Sequence, residues 1–282
     1  MLKHFPKLVV TISALAAFQI LSLNTAPALG FDFIDDGVGI DTEDIGQEFK
    51  VLFEGNVSET DVSGLTSEAI FKFLGFNALG SKTEAAFEIT LTNTTSGDLL
   101  SRTSALGFDV FNFNGTSLGS KLSLLGIGND TGNSSGKTRT TGLFSKDRSG
   151  SFPNKFGDVD VCFTNGNTCQ GGSNGGVDNN PSTSNPQTSK FTATLAMDGE
   201  VQRMALNNFG VRYQSINGTS ADGQNFNGDS GTGRGTAGPK TTQPPSGGGG
   251  PRKIPEPATT LALGVVAISA LKLRKHSSLA QA

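Results

Sequence analysis

Phe87-Glu88-Ile89-Thr90-Leu91-Thr92, ended by Asn93-Thr94-Thr95-Ser96-Gly97, is the stretch that decides the fold class of this 282-residue chain. Its apolar and polar residues alternate with a period of two. That places Phe87, Ile89 and Leu91 on one face of a strand and Glu88, Thr90 and Thr92 on the other. The Asn/Thr/Ser/Gly tract that follows supplies the turn. Working outward, the pattern recurs at 49–53, 70–74, 105–113, 159–163, 191–195 and 209–216. No window carries a helical stripe longer than about two turns. Short strands separated by Gly/Asn/Ser turns predict an all-β protein, an antiparallel β-sandwich or jelly roll. About 180 residues build one sizeable core, so residues 29–216 are expected to form a single domain.

The aromatic inventory narrows what such a body can do. The chain has 20 Phe, one Tyr and no Trp. Phe49, Phe53, Phe71, Phe73, Phe87, Phe108, Phe111 and Phe113 alternate with polar residues and are assigned to the core. Sugar faces stack best on Trp or Tyr, whose polar tips tolerate a wet groove. Tyr213, in Val211-Arg212-Tyr213-Gln214-Ser215-Ile216, is therefore the one candidate platform, with a core position as the simpler assignment.

The two ends read as addresses. Lys3, His4 and Lys7 precede an apolar stretch at 8–23, and Ala26-Pro27-Ala28 supplies the small residues of a cleavage site, so residues 1–28 are expected to be a secretory signal peptide cut after Ala28. Pro255-Glu256-Pro257 leads into an apolar run at 258–271 and then Lys272, Arg274, Lys275 and His276. As a helix that run spans roughly 21 Å against a hydrocarbon core of roughly 30 Å, a short transmembrane segment whose basic end stays on the cytoplasmic side. Between body and tail, residues 217–253 are dominated by Gly, Ser, Thr, Asn, Gln and Pro. This composition predicts a flexible tether, with an end-to-end distance on the order of 35 Å.

Together the ends resemble the substrates of exosortases, bacterial proteins with a PEP-CTERM sorting signal. The resemblance covers Pro255, Glu256 and Pro257, the apolar run and the basic pair Arg274 and Lys275, with residues 254–276 as the signal and 277–282 as a short tail. Two features depart from the common pattern: Ile254 stands where valine is usual, and residues 277–282 extend past a mixed basic cluster. The resemblance implies export, recognition of the tail by an exosortase in the inner membrane, and delivery of the body to the cell surface or its exopolysaccharide layer. The segment from Gln170 to Gly176, together with 211–216 and the glycine-rich stretch after it, is similar to the cistern family of PEP-CTERM proteins, which supplies no catalytic residues to carry over.

Removing the address segments changes the chemistry available. Residues 29–255 hold 17 Lys and Arg against 24 Asp and Glu, a net charge of −7, which argues against nucleic acid as a partner. Both histidines, His4 and His276, fall outside this region. The mature body thus lacks the imidazole of a Ser/His/Asp or Cys/His site and of the usual zinc sites. A non-enzymatic surface or matrix protein, without cofactor or resident metal, is the expected function; a carbohydrate- or calcium-binding module, or more remotely a hydrolase, is the alternative.

Spacing decides how the remaining motifs read. Cys162 and Cys169, in Cys-Phe-Thr-Asn-Gly-Asn-Thr-Cys, invite a disulfide in an exported chain. A two-residue turn at Asn165-Gly166 would pair them directly across a hairpin, and the closed loop is worth about 2.5 kcal/mol. Six intervening residues do not suit a redox C-x-x-C pair. The glycine-rich stretch from Gln170 onward is expected to be a mobile loop reaching about Ser189. Asp32, Asp35, Asp36, Asp41, Glu43, Asp44 and Glu48 form an acidic run without EF-hand spacing, read as a solvated face. Asp158 and Asp160, two apart on a strand, share a face as a glycosidase pair would, but lack an aromatic subsite. Gly126-x-Gly128 is not followed by the Lys-Ser/Thr of a phosphate loop.

Overall fold

The computed structural model describes residues 30–34, 36–126, 138–172 and 175–240. The signal peptide with Ala26 and Ala28, the sorting motif Pro255-Glu256-Pro257 with Arg274 and Lys275, and Asp35 lie outside these residues. The strands are β1 (Asp32–Ile34), β2 (Gly37–Asp41), β3 (Glu48–Val57), β4 (Thr60–Leu79), β5 (Lys82–Asn93), β6 (Leu100–Phe113), β7 (Leu118–Lys121), β8 (Arg139–Gly142), β9 (Lys146–Phe152), β10 (Gly157–Thr164), β11 (Val177–Asp178), β12 (Thr188–Asp198), β13 (Arg203–Thr219) and β14 (Asn225–Pro239). One 3-10 turn, Thr42–Asp44, is the only helical element among the described residues, and none of their helices is long and apolar enough to cross a membrane.

The all-β, antiparallel class expected from the alternation is what the structure has. Each predicted strand centre lies inside an observed strand: Phe87, Ile89 and Leu91 are fully buried in β5, while Glu88, Thr90 and Thr92 are only half-buried. The arrangement differs from a two-sheet sandwich. One continuous sheet runs β8-β12-β5-β4-β3-β14-β13-β6-β10-β9, and its ends β8 and β9 return to contact each other, nearly closing a barrel. Long strands explain the difference. β4 spans 20 residues and β13 spans 17, and both carry bulges, at Phe73/Gly75 in β4 and at Asn207/Gly210 and Gln214/Asn217 in β13. A bulge bends a strand while its neighbours stay hydrogen-bonded, so the sheet turns its corners without being cut in two. Tight turns keep the register: Ser58 and Glu59, both at positive φ, join β3 to β4 with Val57 opposite Thr60.

Inside the barrel, phenylalanines from all sides meet. Phe71 of β4 stacks on Phe49 of β3 at 4.8 Å and meets Phe209 of β13 at 5.6 Å and Phe108 of β6 at 5.8 Å, edge on. Rings without a polar tip need no hydrogen-bond partner in that interior. Phe111 departs from its expected core position. It is half-buried, with the Lys121 ammonium 5.8 Å from its ring centre.

Residues 225–239, expected within the tether, instead form β14, paired with β3 on one side and β13 on the other. Their glycines are the reason. A Cβ on Gly235 would stand 2.6 Å from both the Phe53 ring and Val51 Cγ1, and one on Gly233 would stand 2.9 Å from the Tyr213 ring. Alternate positions of the strand are emptied of side chain so that large residues of the neighbouring strands can fill the space. The ordered body therefore reaches at least Lys240, and only 241–253 of the expected tether lies outside the described residues.

A second, smaller core covers the other face of the sheet. Along β10, Val161 and Phe163 enter the barrel, so Cys162 points outward, and there it packs with Ala105, Phe152, Phe156, Val159 and Cys169. Cys162 and Cys169 form a disulfide, with Cα atoms 5.8 Å apart. The expected hairpin is absent. Cys162 already faces Gly107 of β6 and Arg148 of β9, so both edges of β10 are taken and the returning chain cannot add a third strand. Residues 165–168 bend away over the outer face, and the disulfide fastens that excursion down. Phe152 and Phe156 reach the sheet through Gly107 and Gly210, which face each other across β6 and β13 and where a Cβ would meet the rings at 2.8 and 2.4 Å.

Candidate functional site

The long strand β13 carries two polar constellations, one at each of its main bulges. The first lies at Asn207/Gly210, where Asn208 adopts φ 52° and the ladder to β6 is interrupted. On the other side of β6, carboxylates tie it to β10. Asp109 Oδ1 accepts from the Asp160 backbone N–H at 2.8 Å, and Asp160 Oδ2 accepts from the Val110 N–H at 2.9 Å. Asn208 Nδ2 donates to Asp109 Oδ2 at 3.1 Å, and the Lys121 ammonium bridges Asp109 at 3.3 Å and Asp160 at 3.1 Å. Partial burial would lower the Lys121 ammonium, but its bonds to Asp160 and Asp109 outweigh this and raise it. Beside the cluster lies a groove of about 350 Å³, whose lining includes Leu122, Leu124, Asp158 and Asp160. The Asp158/Asp160 pair singled out in the sequence is thus brought to one groove. Asp158 accepts from the Ser151 hydroxyl and Asp160 braces two strands, so both carboxylates hold structural bonds.

The second constellation lies at the Gln214/Asn217 bulge, where Ser215 is held at φ 54°, a strained value for a residue with a side chain. Across three strands the register places Asp178 of β11, Arg102 of β6 and Gln214 of β13 in one row. Arg102 is 6 % exposed, and its guanidinium donates to the Gly172 carbonyl at 2.8 Å, the Gly175 carbonyl at 3.2 Å and Gln214 Oε1 at 2.9 Å. Arg212, from the same face, donates to the carbonyls of Gln170 at 3.1 Å and Gly231 at 2.6 Å. Burial lowers both guanidinium groups, Arg212 to about 10, so both remain cationic at neutral pH. The glycine-rich segment expected to be mobile is therefore fastened by two cations at Gln170, Gly172 and Gly175, with residues 173–174 outside the described set.

The chain beyond Asp178 is equally well held. The Asp178 N–H donates to the Pro186 carbonyl at 3.0 Å, closing a loop over 178–186. Neighbouring asparagines divide the work. Asn179 turns inward and ties Ser101, Thr95 and Leu99. Asn180 turns outward, its Oδ1 accepting from the Ser182 N–H at 2.9 Å and its carbonyl accepting from the Thr183 N–H at 3.1 Å. Between this loop and the bulge of β13 lies a groove of about 170 Å³ lined by Arg102, Asp178, Asn180, Thr183, Asn185, Ser215 and Asn217. None of these residues was singled out in the sequence. Their only local signal was an Asn/Ser/Thr/Pro-rich tract of the kind that usually marks a plain turn.

The other sequence candidates resolve structurally. Tyr213 is fully buried in the barrel and offers no exposed platform. Its hydroxyl lies beside Ser67, whose Oγ shares a hydrogen bond of 2.6 Å with Thr103 Oγ1. Most of the described acidic run gathers at the 3-10 turn, where Asp44 is buried instead of solvated, and burial, with Asp41, Asp32 and Glu43 nearby, holds its carboxyl above the usual range. Asp41 and Asp44 cap the 3-10 turn reciprocally, and Glu48 pairs with Lys240. Among the described residues, no group of three or more His, Cys, Asp or Glu side chains converges as a metal site.

Burial pushes the Tyr213 phenol above its ordinary value of about 10. A folded-state value above the unfolded one means that the neutral phenol favours the fold fully below about pH 10, and that this stability is lost as pH rises further. Since Tyr213 is the only tyrosine, tyrosinate absorbance is expected to rise only together with loss of the sheet's circular dichroism. Tyrosinate formation near pH 10 with the dichroism intact would show that the phenol is not enclosed.

Comparison of the chain with protein-family models, curated proteins and solved structures finds no match.

Proposed function

We propose that this chain is an exported, non-enzymatic surface or extracellular-matrix protein, sorted by an exosortase through the Pro255-Glu256-Pro257 signal and associated with exopolysaccharide. The observation that supports this most directly is the Cys162–Cys169 disulfide. Disulfides persist where the surroundings are oxidising, as beyond the inner membrane. Here the bond joins β10 to the loop that covers the outer face, and its closed loop contributes about 2.5 kcal/mol in the chain-entropy model. The proposal assigns residues 1–28 to export and 254–276 to transient anchoring, with the barrel as the delivered cargo.

The test is mass spectrometry of the protein recovered from the cell surface and medium of its host. The expected mature form begins near Leu29, lacks the apolar run at 258–271, and yields a nonreducing peptide linking Cys162 to Cys169. Recovery of the intact tail in the mature protein would overturn the sorting proposal. Free thiols at both cysteines would remove its main support.

A further inference from the structure

We propose that the groove between the 178–186 loop and the β13 bulge is a subsite for one neutral sugar residue of a glycan. This inference deepens the exopolysaccharide reading by giving it a place and a ligand class, and the argument rests on the groups that line the groove. They comprise three carboxamides (Asn180, Asn185 and Asn217), two hydroxyls (Thr183 and Ser215), one carboxylate (Asp178) and one guanidinium (Arg102). Every lining side chain is polar, so a wholly apolar ligand such as an acyl chain would leave their hydrogen-bonding groups unmatched. Asn217 is committed to the wall and Asn180 Oδ1 to the Ser182 N–H, so it is Asn185 that presents a donor beside an acceptor, the pairing needed by a hydroxyl that both gives and accepts a hydrogen bond.

Charge selects within the polar ligands. Arg102 directs its NH1 and NH2 groups to the carbonyls of Gly172 and Gly175 and to Gln214, and Asp178 stands across from it in register. The pair leaves little net charge for a phosphate or a uronate. The guanidinium beside Asp178 equally disfavours calcium, for which this lining has a single carboxylate. A neutral, hydroxyl-rich ligand remains. At about 170 Å³ the groove lies below the roughly 300–1,000 Å³ of drug-sized sites, which suits one pyranose ring.

The site is built rather than accidental. The loop is closed by the Asp178–Pro186 bond, Asn179 secures its inner side to the 95–101 turn, and Asn217 holds the opposite wall by donating to the Ser215 carbonyl at 2.8 Å and accepting from the Gly228 N–H at 2.9 Å. The left-handed backbone at Ser215 is the kind of local strain that a structure retains where a side chain must be aimed. Without an aromatic platform, binding of a single sugar is expected to be weak, with a dissociation constant on the order of 1 mM, and to gain strength when a polymer engages many copies.

The experiment titrates the full chain with the methyl glycosides of glucose, galactose and mannose, with glucuronate and with calcium chloride, following ligand saturation-transfer and protein amide signals by NMR. Saturable binding of at least one neutral glycoside is expected, weakened tenfold or more by Asn185→Ala and by Thr183→Ala, with the melting temperature unchanged in both. Both side chains lie on the loop; Thr183→Ala also removes the bond its hydroxyl donates to the Asn180 carbonyl at 3.1 Å, so Thr183→Ser, which keeps that bond, is the control expected to bind as the parent does. No binding of any neutral glycoside, or binding of glucuronate or calcium alone, overturns the inference. Glycoside binding unaffected by both variants overturns this site while leaving the surface-protein proposal standing. Conversely, an intact tail on the mature protein would sink the sorting proposal without touching the groove.

Discussion

A chain ending at residue 224 is expected not to fold, whereas one ending at Lys240 is expected to unfold cooperatively at the same temperature as the longer protein. The tether reading makes the opposite forecast, since it places residues 217–253 outside the body. In the structure, β14 pairs residues 232–239 with 49–56 of β3, and residues 225–234 with β13. Removing it would expose two long strand edges in the middle of the sheet and open the barrel beside Phe53, Val51 and Phe209. A domain is stable by only about 5–15 kcal/mol, and losing a central strand exceeds that margin. Circular dichroism and thermal unfolding of residues 29–224 and 29–240 decide the matter. A cooperative, unshifted transition in the shorter piece would restore the tether.

The second large effect is at a single glycine of that strand. Gly235→Val places branched carbon where Phe53 Cε1 and Val51 Cγ1 stand 2.6 Å from a bare Cβ, and Phe209 Cβ stands at 2.8 Å. Three neighbours on two strands, β3 and β13, would have to move at once. Overpacking of a filled core costs typically about 1–3 kcal/mol, and the confinement here places the change at or above about 3 kcal/mol. Gly238, three residues along the same strand, has nothing within 4 Å of an added Cβ. Gly238→Ala is therefore expected to be neutral or stabilising by about 0.5 kcal/mol, because it lowers the entropy of the unfolded chain. Urea denaturation of the two variants measures the contrast. Equal costs at both positions would show that strand glycine itself, and not the space around Gly235, controls stability.

These two effects mark where the sequence is readable. Strand centres such as 87–91 and 159–163 were legible because one buried face writes its period directly into the chain. β14 was not, because Gly231 is small on account of the Asn56 carbonyl, Gly233 on account of Tyr213, and Gly235 on account of Phe53, Val51 and Phe209, all supplied by other strands. A local composition of glycine, serine and threonine is the same whether the missing side chains leave room for solvent or for a neighbour's ring. The cysteine segment shows a related limit. Spacing correctly paired Cys162 with Cys169, because seven positions is a short reach in many geometries. It gave the wrong hairpin, because only the assembled sheet shows that β6 and β9 already occupy both edges of β10.

The candidate sugar groove had the least local signature. Arg102 and Gln214 stand 112 positions apart, and Asp178 meets Arg102 only because β11 pairs with β6. Each residue alone reads as an ordinary polar surface position.

By itself the sequence determined the all-β antiparallel class, the phenylalanine interior and the cysteine partnership, because each rests on a periodicity or a proximity that neighbouring residues carry. Tertiary structure alone decided that the sheet curls toward a closed barrel, that a glycine-rich stretch is its central strand, and that Arg102, Asp178 and Asn217 share one groove. Those outcomes depend on volume and charge supplied by strands distant in the chain, which no local pattern records.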